Sequence, residues 1–430
     1  MDIKQILIDQ KKELDYIISS KKIIKREIQN SLENVINSNL IKVISGIRRS
    51  GKSILCGLLL KDKKFAYANF DEKILLKIDP RDLLRVFHEI YGNFNYILLD
   101  EVQNHESWEL MANTFHRAGY NLFITGSNAR LLSRELSSHL TGRHIDIELF
   151  PFSFREYLTA MSLSFEYPLS SKEVGEIKHH LLNYMSMGGF PEIVVNKENP
   201  RIYLRKLFDD IIEKDIVLRY RIRYLETFRE IVYSVLANFS NPISFNKFKK
   251  QFNLGSEHTI KNYLRYLEEA FIILQLKKFS FKPREIELSE RKVYCIDTGF
   301  IKNVAYTSSE NIGRLMENLV YIDLLRRRSY FKPNMEIYYY KDYQGYEIDF
   351  LVKEGIEVKE LIQVTYATDF DEIAPREYRA LIKASELFKG TRLTIITWDY
   401  EDTRTIKWFG REASIDFVPL WKWFMSDTSV

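Results

Sequence analysis

Residues Ile41–Leu58 read IKVISGIRRSGKSILCGL. An apolar strand runs into the loop Gly46-Ile47-Arg48-Arg49-Ser50-Gly51-Lys52-Ser53, and an apolar helix beginning near Ile54 leaves it. The spacing is Gly, four residues, Gly-Lys-Ser, the phosphate-binding P-loop pattern. Its chemistry needs each part. Glycines let the backbone curl until successive N–H groups face phosphate oxygens. The helix start adds the positive end of its dipole. Lys52 reaches the β- and γ-phosphates of a nucleotide, and the Ser53 hydroxyl is placed to ligate Mg²⁺. Gly46 to Ile54 are therefore the expected ATP-binding residues, with Lys52 also catalytic.

The following strands are read outward from this loop. KFAYANF (Lys64–Phe70) is a second strand candidate, and Pro80 begins a helix, PRDLLRVFHEIY. NYILLDE (Asn95–Glu101) is an apolar strand ending in two carboxylates. A buried parallel strand has such a continuous apolar run, and its C-terminal end is where α/β sheets place ligands. Asp100 is expected to hold the Mg²⁺ of ATP through water, and Glu101 to orient or deprotonate the attacking water. NLFITGSNARLL (Asn121–Leu132) ends beside that strand, so Asn128 or Ser127 can sense the γ-phosphate. An arginine from the same or a neighbouring subunit can stabilise transition-state charge. Arg143 is the first candidate, with Arg130 and Arg134 in reserve.

Composition narrows the class. A chain of 430 residues with 45% hydrophobic and 14% aromatic content has ample material for two or three packed domains. The net charge of +4 is small, so a nucleic-acid partner needs a local basic patch. Cys56 and Cys295 lie far apart in apolar surroundings and read as buried free thiols of a reducing compartment. No apolar run approaches membrane-spanning length, Ala270–Leu276 being too short, and the N-terminus lacks a signal-peptide pattern. The expectation is a cytoplasmic protein without a membrane partner.

GIRRSGKS, ILLDEVQN with Trp108 beyond it, TGSNARLL, LTGR before ELFPFSFREYL, GGFPEIV and YCIDTGF together resemble a family. They are similar to the archaeal and bacterial AAA-type ATPases that carry a winged helix and a restriction-endonuclease-like C-terminal domain. The resemblance implies an α/β P-loop core with a parallel sheet, Mg-ATP as cofactor, and a homo-oligomer such as a ring. It divides the chain into a helical lead-in (1–39), an ATPase core (40–165), a helical lid (166–225), a winged helix (226–300) and the endonuclease-like domain (301–430). The lead-in is read as one helix, because apolar residues recur at helical spacing from Ile3 to Val35.

Two downstream regions carry further expectations. Ser244 and Ser256 are N-cap candidates for helices FNKFKKQF and EHTIKNYLRYLEEAFIIL, and Lys282-Pro283-Arg284 lies where a wing belongs. The third helix of such a motif enters the major groove by its N-terminal half, here His258, Thr259, Lys261, Asn262 and Arg265. Residues 240–292 hold eleven Lys and Arg against six Asp and Glu, so DNA is the expected partner. In the last domain, Glu317 and Asp349 occupy the places of metal-binding carboxylates in an endonuclease-like core. The acid-x-Lys position, however, falls on Gln363-Val364-Thr365, so the usual catalytic set is broken. Glu317 and Asp349 thus mark a second metal site without an expected nuclease activity, and Arg326, Arg327 and Arg328 are candidates to face DNA. The alternatives to an ATPase coupled to DNA are a DNA-processing nuclease that uses Glu317 and Asp349, or a nucleotide switch that binds a protein partner.

Overall fold

The computed structural model describes residues 2–20, 22–128, 142–305 and 311–426. Arg130 and Arg134 lie outside the described residues. The N-terminal half is built on a parallel sheet, ordered β2-β3-β4-β1-β5. Its strands are β1 (Ile41–Ser45), β2 (Phe65–Asn69), β3 (Tyr96–Asp100), β4 (Asn121–Gly126) and β5 (His144–Glu148). The central ones are buried along nearly their whole length because both faces are covered. The N-terminal helix α1 (Ile3–Ser20) ends well before the predicted boundary. Residues 22–28 continue without helical hydrogen bonding, and a short α2 (Gln29–Glu33) follows. Ile24, Ile28 and Leu32 are buried all the same, so the periodicity recorded burial and not helix. Helices α3 (Lys52–Leu60), α4 (Pro80–Tyr91) and α5 (Trp108–Arg117) link the strands. Pro80 sits in the first turn of α4, and Asp79 caps it by accepting from the Arg81 N–H.

Helices α6 (Phe154–Ala160), α7 (Ser171–Met187), α8 (Pro191–Asn196) and α9 (Pro200–Asp210) come next. The chain then makes a π-helical segment, Ile211–Val217, and a last turn α10 (Leu218–Tyr220). The break between α7 and α8 is a backbone requirement. Gly188 has φ +78°, and a Cβ there would sit 1.9 Å from Asp297 Oδ1. Asp297 in turn accepts from the Gly189 and Gly299 amides, both at 2.8 Å. Gly188→Ala should therefore lower stability by at least about 2–3 kcal/mol. Thermal melting checks this against Gly175→Ala, a helical glycine with open space around it. That control should be neutral or gain about 0.5–1 kcal/mol.

Beyond α11 (Leu225–Ala237) a small sheet ordered β6-β8-β7 packs with α12 (Phe245–Gln251) and α13 (Glu257–Glu269). Its antiparallel strands are β6 (Asn241–Ile243), β7 (Ile273–Leu276) and β8 (Arg291–Cys295). Ser256 caps α13 as expected, whereas Ser244 precedes α12 without a side-chain cap bond. Lys282-Pro283-Arg284 does not form an extended wing. Lys282 precedes a short helix, α14 (Pro283–Leu288), because proline at the first helical position is favourable.

After α15 (Thr298–Asn303) and α16 (Ile312–Tyr330), a second large sheet runs β13-β14-β12-β11-β10-β9. Its strands are β9 (Met335–Lys341), β10 (Glu347–Glu354), β11 (Glu357–Val364), β12 (Arg392–Thr397), β13 (Asp402–Trp408) and β14 (Arg411–Pro419). Helix α17 (Pro375–Leu387) covers one face and α16 the other, and α18 (Leu420–Met425) ends the described chain. The basic end of α16 does not face outward as a unit. Arg326 is buried and donates to the Pro151 carbonyl at 3.1 Å, and Arg327 bonds Asp323 and the Trp423 carbonyl. Arg328 approaches Glu148 at 3.8 Å, so Arg326 and Arg328 join the two halves of the molecule. No helix among the described residues is long and apolar enough to cross a membrane.

Candidate active site

The P-loop follows the C-terminal end of β1 and curls back into α3. Gly46 has φ +152°, and a Cβ there would meet the Leu149 carbonyl oxygen at 2.2 Å. Gly51, φ +96°, starts the helix. Lys52 is buried and folds over the loop, donating to the Gly46 carbonyl at 3.1 Å and the Ile47 carbonyl at 3.3 Å. From behind, the buried Arg26 donates to the Ser50 carbonyl at 2.8 Å and pairs with Glu156 at 2.9 Å. The loop opens on a cavity of about 650 Å³. Besides Lys52, Ser53, Asp100 and Glu101, it is lined by Gln10 and Leu14 of α1 and Glu192 of α8. The lead-in helix is thus a wall of the site. Gln10 fixes it there, exchanging two hydrogen bonds with the Asn69 backbone at 2.9 and 3.0 Å.

The two carboxylates at the end of β3 have different surroundings. Asp100 accepts from Ser53 Oγ at 2.9 Å, Tyr67 Oη at 3.0 Å, Asn69 Nδ2 at 3.4 Å and the Thr125 hydroxyl. Burial, and then the Glu101 charge, raise its carboxyl above the ordinary range, against the Thr125 and Ser53 bonds and Lys52. Its charge therefore lacks an adequate counter-ion, which a cation beside Ser53 would supply. Glu101 lies 3.5 Å from Lys52 Nζ and accepts from Gln103 Nε2 at 2.5 Å. Burial pushes Glu101 up, but Lys52, Gln103 and Arg48 outweigh it and hold the carboxyl below its usual value. It is ionised at neutral pH, as a proton acceptor must be. Glu101 also has φ +51°, a left-handed conformation held by its own N–H donating to Thr125 Oγ1 at 3.1 Å.

The other expected site residues are distributed as follows. Arg48 does not point at the loop's centre; its guanidinium binds both oxygens of Asp215 at 3.1 Å. Arg49 pairs with Glu192 at 3.0 Å. Asn128 is buried at the end of β4 and donates to Tyr220 Oη at 3.4 Å, while Ser127 Oγ accepts from Gln103 at 3.2 Å. Arg143 departs from the same-subunit half of its expectation. It is exposed, and its carbonyl accepts from the Ile41 N–H, at the opposite end of the parallel sheet from the P-loop. Five residues of strand, about 15 Å, separate those ends, so Arg143 cannot act on its own chain's phosphates. On α13, His258, Lys261 and Asn262 are exposed and Thr259 and Arg265 half-buried, on the face away from Ile260, Leu264 and Leu267.

Glu317 and Asp349 converge as expected, but not around a cation space. Lys292 Nζ, from β8, lies between them, 3.0 Å from each and 2.9 Å from Glu347. Tyr294 donates to Glu317 at 2.7 Å, and the Val364 N–H to Asp349 at 3.0 Å. The ammonium takes the place assigned to a metal. No group of three or more metal-ligating side chains suited to an ion occurs among the described residues. Gln363 is occupied too, accepting from the Asp349 N–H and donating to Glu377. Lys292, Arg26, Tyr67, Thr125 and Tyr220 were all missed from the sequence; each is a single residue, distant in the chain from what it serves.

A family model described as an AAA domain matches residues 38–158. Two domains of unknown function match 178–311 (DUF8612) and 312–412 (DUF4143). The uncharacterized protein MJ1544 of Methanocaldococcus jannaschii is 35% identical over 425 residues, covering 95% of this chain and 93% of its own. An uncharacterized protein of Haemophilus influenzae is 31% identical over 72% of this chain and 80% of its own. Among solved structures, the Walker-type ATPase paby2304 of Pyrococcus abyssi aligns at 14% identity and TM-score 0.45, covering 65% of this chain and 95% of that one. The Aeropyrum pernix ORC2 protein in its ADP form aligns at 12% identity and TM-score 0.33, over 64% and 90%. The chain belongs to the family of MJ1544, with an AAA-type, P-loop nucleotide-binding core.

Proposed function

We propose that this protein hydrolyses ATP. The observation that carries the proposal is the convergence of Lys52, Ser53, Asp100 and Glu101 on one cavity. Backbone N–H groups of residues 46–54 and Lys52 bind the phosphates. Ser53 and Asp100 are adjacent hard oxygen donors that would hold Mg²⁺, and the ion when bound would offset phosphate charge. Glu101 orients a water and takes its proton as oxygen attacks the γ-phosphorus; the bond to the β-phosphate oxygen breaks and ADP leaves. Asn128, at the end of the neighbouring strand, would sense the γ-phosphate by turning its amide from Tyr220 toward it. Titration with ATP tests the binding half: Lys52→Ala should weaken affinity about tenfold or more. Equal affinity in both proteins would remove Lys52 from the site.

The partner we propose is DNA, bound by residues 226–300 acting as a winged helix, with α13 presented to the groove. The supporting observation is the exposed face bearing His258, Lys261 and Asn262, with Thr259 and Arg265 at its edge. Residues 301–430 act as an endonuclease-like scaffold without cleavage, because Lys292 fills the carboxylate cluster. Binding to duplex DNA across a salt series tests this. Lys261→Glu with Arg265→Glu should weaken binding and reduce the slope of log K against log salt by about two. An unchanged slope moves the DNA site elsewhere.

A further inference from the structure

Three side chains leave the phosphate-binding loops, and all three end on residues 192–220. Arg48 binds Asp215, Arg49 binds Glu192, and Asn128 donates to Tyr220. Tyr220 goes further. Its hydroxyl donates to Glu269, the last residue of α13, and its ring stacks on Tyr266 one turn earlier, centroids 3.8 Å apart and planes 9° apart. Glu269 is buried, and its other side meets Arg265 at 3.7 Å. The run therefore goes from the end of β4 to the exposed basic face of α13 in three side chains. The π-helical segment that precedes Tyr220 strengthens the case. Such segments have looser hydrogen-bonded rings than an α-helix and mark places where the chain changes register.

We propose that Tyr220 is a positioning residue of the ATP site, holding the Asn128 amide until a γ-phosphate draws it, and coupling the nucleotide state to the C-terminal end of α13. The proposal rests on the ATP reading above. The tyrosine hydroxyl has one proton, and Glu269 receives it, so the oxygen is left to accept from Asn128. When a γ-phosphate oxygen draws the Asn128 amide, the bond to Tyr220 lengthens or is lost. Tyr220 and Glu269 must then re-satisfy a half-buried pair, and the end of α13 responds. With ADP there is no such pull.

Hydrogen exchange on the full chain, with a non-hydrolysable ATP analogue and with ADP, tests this. Amides of residues 46–58 should be protected by either nucleotide. Amides of residues 264–272 should differ about fivefold in exchange rate between the two nucleotides. Tyr220→Phe keeps the ring stack and removes the hydroxyl, and should abolish that difference while leaving P-loop protection intact. Asn128→Ala, which also removes the γ-phosphate contact, should abolish the difference from the other end. P-loop protection with no difference at 264–272, or with a difference that survives Tyr220→Phe, overturns the coupling and leaves nucleotide binding standing. Absence of P-loop protection overturns both.

Discussion

Glu101→Gln should reduce ATP turnover by about 10²–10³-fold or more while ATP still binds. Glutamine is isosteric and can keep the left-handed turn that Thr125 anchors. It also accepts hydrogen bonds as glutamate does, so the neighbourhood of Gln103 and Ser127 is retained. What it cannot do is take a proton. The change also removes a negative charge beside Asp100, whose carboxyl is raised first by burial and then by Glu101. Asp100 should therefore ionise more readily in the variant, and Mg-ATP affinity should hold or rise. Steady-state phosphate release with a separate nucleotide titration separates the two effects. A variant that loses binding and turnover together would make Glu101 structural.

The second large effect is expected far from the nucleotide. Lys292→Met replaces a buried ammonium by a side chain of similar length and leaves Glu317, Glu347 and Asp349 facing one another. Breaking a buried ion cluster by removing one sign of charge costs about 3–5 kcal/mol. For folding units of this size that is a fall in Tm of about 6–20 °C. The pH dependence gives the mechanism its sign. In the native protein Glu317 is pushed up to about 7, by burial first and the Asp349 charge second, against Lys292. A carboxyl whose folded value lies above its unfolded value of about 4.5 favours folding while protonated, so its contribution falls as pH rises from about 4.5 through about 7. Buried Asp297, also pushed up to about 7, acts in the same direction. Without Lys292 this slope should steepen, so the variant's deficit should be smaller near pH 5 than near pH 8. Adding Glu317→Gln should recover part of the loss. Equal melting of Lys292→Met and the parent at pH 8 would show that the cluster stabilises nothing.

The nucleotide site was legible because its chemistry is local. A strand, a glycine-bounded loop and a helix follow one another within Ile41–Leu58, and Asp100 and Glu101 end their own strand. Each role needs only residues near it in the chain. The contacts that tune the site were not legible. Arg26 reaches the Ser50 carbonyl from a segment without regular structure, and Tyr67 and Thr125 reach Asp100 from neighbouring strands. Nothing at Tyr220 itself announces Asn128 or Glu269. Arg48 and Arg49 were visible as loop residues, yet their partners Asp215 and Glu192 follow from helix packing alone.

The same physics explains the errors in the second half. The strands legible in the sequence end at RLTIITWD and do not include β13 or β14; β13 is exposed along most of its length and offers no apolar alternation to read. The Lys282-Pro283-Arg284 turn became a helix start because proline suits both roles. The arginine run at the end of α16 suggested a surface, but Arg326 is buried against the P-loop half. The carboxylates Glu317 and Asp349 do come together, both 3.0 Å from Lys292 Nζ. Their counter-ion, Lys292, comes from a strand before the helix that carries Glu317, where no endonuclease-like spacing would seek it.

The most direct measurement is phosphate release by the unmodified full chain, with ATP and Mg²⁺, beside Lys52→Ala and beside the same protein with excess chelator. The expected result is turnover in the parent that falls to background in both controls. Release that persists at the parent's rate in Lys52→Ala or without divalent cations would place hydrolysis outside this loop and contradict the assignment of the site.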